Sequence, residues 1–420
     1  MKDLNLEINQ VLAILLRALD HIDVRLVDHG HRVAYIVYKM MQAEGVYQEK
    51  EMQEICIVAS LHDIGAYKTE EIDHMMRFES EDVFDHSVYG YLFLKHMSPL
   101  QKWAEIVLFH HLNYEKYHQL DYEYKNIADM IHLADRMDVM LQLKGRWLNG
   151  EEIAAQQDIR FGRETIDLFR KANEKYDFKG NIMNGSYLKE LDSFVKTAEY
   201  SDETLLEYIK MIAYSIDFRS ETTVNHVVTT VSISTELGKL FYLEEKELKK
   251  IQLGAYLHDI GKIATPLEIL EKAGDLTEEE MLIMRRHIDT ARKILIGRID
   301  EHVLQITCHH HEKIDGSGYP LGLTEEQLTL SDKIVAVADI MSALTGKRSY
   351  KESFPKDKVV NILQSQKLNG KLSGKVIDEA IRHYDKIMEC SQINVEKITD
   401  MYNRISKEFH FIKVRFEEMG

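Results

Sequence analysis

The chain has 420 residues, more than one hydrophobic core usually organises, so we expect two or three compact domains. Hydrophobic residues make up 45% of it, charged residues 29%, and only 4 residues are proline, which is typical of a folded and mostly helical protein. The formal net charge of −17 argues against a nucleic-acid polymer as a partner, because no basic stripe offsets that field. A small anionic ligand is compatible with this charge, since two or three Lys or Arg side chains suffice to bind it.

The cysteines and the apolar segments indicate the cellular compartment. Cys56, Cys308 and Cys390 lie far apart and form no CxxC pair, which is typical of a reducing environment. The apolar run 11–16 is cut off by Arg17, so it is too short for a signal peptide or a spanning helix. We therefore predict a cytoplasmic protein that does not associate with a membrane.

The chain contains an internal repeat. The pentapeptide LHDIG occurs at residues 61–65 and again at 257–261, and other His and Asp residues match around it in the same order. Such an order is expected after a duplication followed by loop insertions. We predict a first domain from 1 to 197 and a second from 198 to 420, with a loop-like segment at 178–186 near the join. The matched pairs are His29 and His226, His62 and His258, Asp63 and Asp259, His86 and His287, His110 and His310, His111 and His311, and Asp135 and Asp339.

The matched segments have the periodicity of helices. His226, Thr230, Ile233 and Leu237, for example, follow one another at spacings of three or four residues, whereas strand-like alternation is nowhere sustained. The sequence therefore predicts an all-α fold with two tandem domains of the same kind. In each domain the His and Asp side chains would project from several helices into a shared centre.

The repeated His and Asp residues form a candidate metal-ligand set. A single histidine in an apolar helix is more often a packed core residue than a ligand. Recurrence of the whole set in two repeats argues against a purely structural role, because burying ionisable groups costs free energy that apolar residues do not. Five imidazoles and two carboxylates can hold two divalent ions that share one bridging carboxylate. Such a mixed ligand set suits Fe, Mn, Ni, Co or Zn and does not distinguish among them.

The second repeat can be divided into two such sites. We predict that Asp259 bridges the two ions, because its carboxylate would reach both, whereas the neighbouring His258 would reach only one. The first site would then contain His226, His258, Asp259 and Asp339, and the second Asp259, His287, His310 and His311.

Three motifs of the second repeat resemble the HD-GYP branch of the HD superfamily of metal-dependent phosphohydrolases. They are HDIGK at 258–262, HHEKIDGSGYP at 310–320 and ALTGKRSYK at 343–351, and the resemblance extends over residues 200–385. It implies an all-helical fold, a centre of two or three metal ions, and hydrolysis of cyclic dinucleotides. The usual substrate would be cyclic di-GMP, or in some members 3′,3′-cyclic GMP-AMP.

The resemblance also implies roles for individual residues. Asp259 and Lys262 would be catalytic, with Lys262 on the scissile phosphate, while Gly318 and Tyr319 belong to a loop that shapes the mouth of the pocket. Arg348 and Lys351 would hold a guanine or the second phosphate. The reaction would be metal-assisted hydrolysis to a linear dinucleotide, which a second cleavage would convert to mononucleotides.

The second repeat departs from the family pattern at three positions. Ser342 and Ser349 stand where the family often has Asp and Pro. Thr222 stands where members with three metal ions have Glu, so we predict two ions.

The first repeat keeps the ligand set and lacks the residues implied to bind substrate. Ala66 replaces the lysine of HDIGK, Leu112 replaces the glutamate of HHE, and no DGxGYP follows. Three interpretations remain open: a decayed copy kept for packing or dimerisation, a metal-loaded sensor or regulatory domain, and a diiron oxygenase or nucleotidase. The complete ligand set favours the sensor or regulatory domain. Its candidate metal ligands are His29, His62, Asp63, His86, His110, His111 and Asp135.

The sequence thus predicts a cyclic dinucleotide phosphodiesterase with its active site in the second repeat. The alternative is a non-catalytic signalling module that binds a cyclic dinucleotide or a partner protein through its GYP surface. The intact HDIGK motif favours catalysis. Formation of a homodimer and binding of a signalling protein both stay open, since no motif specifies either.

Overall fold

A computed structural model describes residues 6–21, 27–66, 84–217, 224–272, 274–346 and 353–419. Within these ranges the chain is helical, and its β-type pairing is limited to the isolated bridges Gln157–Phe161 and Asp315–Thr324. The predicted all-α fold is confirmed. Among the helices of these ranges, none has the length and the apolar character needed to span a bilayer.

The chain divides into two compact units. One contains Glu7–Tyr200 together with the segment that begins at Arg404, and the other contains Leu6 and Ser201–Asn403. The division after Tyr200 lies close to the predicted boundary after residue 197, but the segment from Arg404 onward differs from the prediction, which assigned it to the second domain. In the first unit Phe409 stacks on Tyr89 with ring centroids 4.0 Å apart, and Lys413 Nζ lies 2.7 Å from Asp85 Oδ2.

In the first unit, helices that carry candidate ligands pack directly on one another. The helices of this unit are α1 (Ile8–Asp20), α2 (His29–Glu44), α3 (Glu49–Ser60), α4 (Phe84–Met97), α5 (Ala104–Phe109), α6 (Tyr114–Tyr117), α7 (Lys125–Lys144), α8 (Gly150–Ala154), α9 (Arg163–Tyr176), α10 (Phe178–Asn184) and α11 (Ser186–Lys196). Helix α2 contacts α3, α7 and α9, and both α2 and α7 are buried along most of their length.

The predicted loop at 178–186 is a short helix, α10, followed by the start of α11. The carboxylate of Asp177 accepts the backbone N–H of Gly180, which caps the first turn of α10. The helix ends at Gly185, whose φ of 80° is in the left-handed region. Phe178 and Ile182 are buried, so packing stabilises a segment whose composition resembles a loop.

The second unit repeats this arrangement. The helices are α12 (Asp202–Asp217), α13 (Val224–Leu240), α14 (Glu245–Leu257), α15 (Leu267–Leu270), α16 (Glu278–Arg285), α17 (His287–Leu295), α18 (Glu301–His309), α19 (Leu330–Thr345), α20 (Lys356–Leu368), α21 (Gly374–Arg382) and α22 (Tyr384–Met419). The core of this unit is formed chiefly by α13, α14, α19 and α21, whose apolar residues pack into one cluster.

The glycine of LHDIG explains how each motif meets the helix that carries the next histidine. A Cβ added to Gly261 would lie 1.8 Å from the carbonyl oxygen of His287, and one added to Gly65 would lie 2.0 Å from that of His86. Only glycine permits so close an approach. The turn after each His-Asp pair therefore packs backbone to backbone against the next ligand-bearing helix, α17 or α4.

Candidate metal centres

In the second repeat, Asp259 lies between two pairs of imidazoles. Its Oδ2 atom is 3.6 Å from His226 Nε2 and 3.2 Å from His258 Nε2. Its Oδ1 atom is 3.7 Å from His287 Nε2 and 3.9 Å from His310 Nε2. One oxygen of the carboxylate thus faces each histidine pair, as a residue that bridges two ions requires.

Asp339 also faces both halves of this centre. Its Oδ1 atom is 3.1 Å from His226 Nε2, and its Oδ2 atom is 3.8 Å from His311 Nδ1. The sequence placed Asp339 with one ion only, because spacing along a helix does not tell where the second carboxylate oxygen points. The two aspartates together connect the five predicted histidines.

Backbone contacts orient the imidazoles. Nδ1 of His258, of His287 and of His310 lies 2.8, 2.6 and 2.7 Å from the carbonyl oxygen three residues earlier. A carbonyl can only accept, so each Nδ1 carries a hydrogen and each Nε2 faces the Asp259 carboxylate; in the neutral imidazole, Nε2 is then the nitrogen that has the lone pair. This tautomer is the one that binds a metal ion through Nε2.

The charge states at this centre suit a cation. Burial would raise the pKa of the Asp259 carboxyl, but the charges of His258 and Lys262 hold that pKa well below its usual range. Burial lowers the pKa of His310 well below its usual range, so this imidazole is neutral. Asp259 Oδ1 is buried and, among the described residues, has no hydrogen-bond partner. Because burial of such an oxygen is costly, these residues fit a divalent ion.

The first repeat reproduces this geometry around Asp63. Its Oδ2 atom is 3.6 Å from His29 Nε2 and 3.2 Å from His62 Nε2. Its Oδ1 atom is 3.6 Å from His86 Nε2 and 3.5 Å from His110 Nε2. The first repeat therefore preserves the arrangement of its ligand set as well as the residue types.

Asp135, the last aspartate of the first ligand set, has contacts that match those of Asp339. Asp135 Oδ1 is 3.3 Å from His29 Nε2, and Asp135 Oδ2 is 3.8 Å from His111 Nδ1. Burial would lower the pKa of His29, but its hydrogen bonds to Asp135 and Asp138 raise that pKa to about 10. A metal ion bound at His29 would therefore displace a proton at neutral pH.

The two centres differ in where a cation contacts an aspartate. In the second repeat Lys262 Nζ lies 2.5 Å from Oδ2 of the central Asp259, whereas the first repeat has the buried Ala66 at this position. In the first repeat Arg136 lies 2.6 Å from Oδ2 of the terminal Asp135, and Ile340 takes that position in the second. Among the described residues, which exclude 67–83, a lysine or arginine contacts the central carboxylate in the second repeat and not in the first.

Glu312 holds the loop that follows the second histidine pair, a role that sequence reasoning missed. This buried carboxylate accepts the backbone N–H of Leu321 at 2.7 Å and that of Leu323 at 2.9 Å. A Cβ at Gly318 would lie 2.5 Å from the Glu312 Cα atom, so the loop folds back closely onto the glutamate. The available signal in the sequence was a glutamate directly after the histidine pair, at the position where the first repeat has Leu112.

Tyr319 of this loop contacts a predicted metal ligand. Its ring centroid is 4.8 Å from that of His311, and the guanidinium of Arg285 lies 4.7 Å from the centroid of the tyrosine ring. Arg285 is exposed and was not singled out from the sequence. It adds a cation to the side of the centre that carries the loop.

Four positions used in the sequence analysis lie outside the described residues. They are Arg348 and Lys351, with predicted roles in substrate binding, Ser349, and Thr222, on which the prediction of two rather than three ions rests.

We expect Glu312→Ala to release this loop. Each hydrogen bond to a charged acceptor contributes about 1.5–3 kcal/mol, and the variant loses two. Trypsin cleavage after Lys313 should therefore accelerate more than about tenfold, with helix content by circular dichroism unchanged. Glu326→Ala, an exposed change in the same loop, is the control. Equal cleavage of Glu312→Ala and wild type would show that Glu312 does not hold the loop.

Comparison with protein families identifies two HD domains. A family model described as an HD domain matches residues 26–140, and a second model with this description matches residues 209–376. Each match contains one of the two sets of histidines and aspartates. The chain belongs to the HD superfamily and carries two HD domains in tandem.

Individual relatives indicate which branch of the HD superfamily the chain is related to. A 3′3′-cGAMP-specific phosphodiesterase of Vibrio cholerae is 28% identical over 414 residues, which cover 93% of this chain and 96% of that protein. A cyclic di-GMP phosphodiesterase of Thermotoga maritima is 35% identical over 241 residues, which cover 54% of this chain and 62% of that protein. The chain is thus homologous to phosphodiesterases of the HD-GYP type, as its motifs predicted.

A solved structure supports the fold. The crystal structure of a cyclic GMP-AMP specific phosphodiesterase of V. cholerae, V-cGAP3, is similar with a TM-score of 0.57. The similarity covers 89% of this chain and 96% of that chain at 16% sequence identity. At this identity the likeness concerns the fold alone.

Proposed function

We propose that this chain is a metal-dependent phosphodiesterase that hydrolyses a cyclic dinucleotide to a linear dinucleotide at the centre of its second repeat. The observation that carries this proposal is the position of Lys262, whose Nζ lies 2.5 Å from Asp259 Oδ2. A phosphodiester near the centre would meet a cation there. The first repeat, with Ala66, offers no cation at that position.

Two divalent transition-metal ions would occupy the second centre. His226 and His258 would hold one ion, and His287, His310 and His311 the other, with Asp259 and Asp339 between them. When bound, the ions supply an activated water and positive charge opposite the phosphoryl oxygens. Fe, Mn, Ni, Co and Zn are all compatible with these ligands.

Side chains of the chain itself would bind and orient the nucleotide. Lys262 retains 21% exposure of its side chain, so its charge can reach a phosphoryl oxygen. Arg285 and Tyr319 form a second contact region, where the guanidinium could meet the other phosphate and the ring edge a base. Arg348 and Lys351 keep their predicted roles in binding a guanine or the second phosphate.

The relatives guide the choice of substrate. The V. cholerae relative that matches both repeats is named for 3′3′-cGAMP, whereas the T. maritima relative, named for cyclic di-GMP, matches 54% of this chain. We therefore expect 3′,3′-cyclic GMP-AMP to be the better substrate of the two. The first repeat would be a metal-loaded regulatory domain, and the protein would act in the cytoplasm.

Incubation of the full-length protein with Mn²⁺ or Fe²⁺ and each cyclic dinucleotide tests the proposal. Liquid chromatography with mass detection should find a linear dinucleotide, formed faster from 3′,3′-cyclic GMP-AMP. Formation of no linear product from either nucleotide, with binding of the nucleotide detected by calorimetry, would instead support the non-catalytic signalling module.

A further inference from the structure

The two centres differ in the residue that contacts Nδ1 of their first histidine, the ring nitrogen that faces away from the centre. In the first repeat, His29 Nδ1 donates to the carboxylate of Asp138, with 2.7 Å between Nδ1 and Oδ2. Ser342 occupies the corresponding position in the second repeat, and its Oγ is 2.9 Å from His226 Nδ1. Both Asp138 and Ser342 are buried.

The contacts of Ser342 establish the direction of its hydrogen bond to the imidazole. Ser342 Oγ is also 3.0 Å from the backbone carbonyl oxygen of His226. A carbonyl only accepts, so the single hydroxyl hydrogen points to it, and Oγ accepts the hydrogen of His226 Nδ1. Both repeats therefore keep a hydrogen on Nδ1 of this histidine and direct Nε2 into the centre. What differs is the charge of the acceptor.

A second substitution accompanies this difference. Arg32 Nε lies 2.6 Å from Asp138 Oδ1, and an Arg32 terminal nitrogen lies 2.9 Å from Asp138 Oδ2. The matching position in the second repeat is Thr229. The Arg32–Asp138 pair of the first repeat thus corresponds to Thr229 and Ser342, which suggests that the carboxylate and its guanidinium partner form one unit.

A carboxylate that accepts the outer N–H of a ligating imidazole makes that imidazole a stronger ligand, and its loss typically costs about 10–100-fold in metal affinity. We propose that Asp138, held by Arg32, is a positioning residue that acts through His29 to raise the affinity of the first centre for a divalent ion. This inference rests on metal binding by the first repeat, which is part of the proposed function, and is independent of nucleotide hydrolysis.

Chelator competition with Co²⁺ tests the inference in the full-length chain. An Asp259→Asn background weakens the second centre, so that the remaining affinity reports the first. Adding Asp138→Ser should weaken binding of Co²⁺ about 10–100-fold, and Asp138→Asn, which keeps an acceptor without its charge, by less. Gln142→Ser, an exposed change on the same helix α7, should leave the affinity unchanged.

The variants are chosen so that misfolding does not decide the outcome. Asp138→Ser alone leaves Arg32 buried without its carboxylate, so the double variant Arg32→Thr/Asp138→Ser, which copies the second repeat, is measured alongside it. A folded double variant that binds Co²⁺ as tightly as its parent would overturn the inference. Absence of Co²⁺ binding by the parent would overturn it too, while leaving hydrolysis at the second centre unaffected.

The reciprocal change uses the second centre. In an Asp63→Asn background, Thr229→Arg/Ser342→Asp should raise the affinity of the second centre for Co²⁺ about 10–100-fold. An unchanged or lower affinity in a variant with wild-type helix content would count against the role assigned to this pair.

Discussion

Replacing Asp259 with asparagine is expected to reduce formation of the linear dinucleotide about 10³-fold, because metal-ion stabilisation is worth several kcal/mol and each 1.36 kcal/mol changes a rate tenfold. The two oxygens of Asp259 face different histidine pairs, at 3.2–3.6 Å and 3.7–3.9 Å. An asparagine amide has one oxygen and no charge, so it cannot bind an ion beside each of the two histidine pairs. Initial rates and the metal content of the same sample measure the effect.

Asp289→Asn is the control for this change, since Asp289 is exposed on the helix α17 that also carries His287. It should keep both its metal ions and its rate. If Asp259→Asn hydrolysed the nucleotide at the wild-type rate with the wild-type metal content, Asp259 would not be a bridging ligand.

Lys262→Met is expected to lower kcat about 10²–10³-fold while the metal content stays at the wild-type level. Removing one preorganised charge from an active site typically has this effect on the rate. Methionine retains an apolar stem but no charge, so the change isolates the contribution of the ammonium group. Because Lys262 lies 2.5 Å from Asp259 Oδ2, where an ion would also bind, its removal should not weaken metal binding. Kinetics and elemental analysis of one preparation measure both quantities.

Lys239→Met provides the comparison for Lys262→Met. Lys239 has a side chain that is 56% exposed and forms an ion pair with Glu236, three residues before it. Its replacement should change neither kcat nor the metal content. Loss of metal together with activity in Lys262→Met would mean that this lysine stabilises the centre and does not act on the phosphate.

Much of the candidate site could be predicted because the chain contains two copies of it. His29 and His226 are 197 positions apart in sequence, yet each lies 3.6 Å from the central aspartate of its own repeat. The repeated order of ionisable residues distinguishes candidate ligands from histidines of the core, and the helical periodicity predicts the fold class. Both follow from local patterns that one sequence can display.

Other features depend on contacts between distant segments. Asp138 on α7 is hydrogen-bonded to His29 on α2, 109 residues away in sequence, and no residue near Asp138 in the sequence indicates that partner. An amphipathic pattern likewise shows that Phe409 belongs on a buried face, but not that this face packs on Tyr89 in the first unit. Packing between elements, rather than propensity, determines such contacts.

The assignment of hydrolysis to the second repeat is tested most directly by comparing the Asp63→Asn and Asp259→Asn variants. The rate of linear-dinucleotide formation is measured in both at identical metal and nucleotide concentrations. Both aspartates lie among four imidazoles, and within the part of the chain that the structure describes, Asp259 has a lysine beside it and Asp63 does not. We expect Asp63→Asn to retain most of the wild-type rate and Asp259→Asn to lose about 10³-fold. Equal losses in the two variants, or a larger loss in Asp63→Asn, would contradict the assignment of hydrolysis to the second repeat.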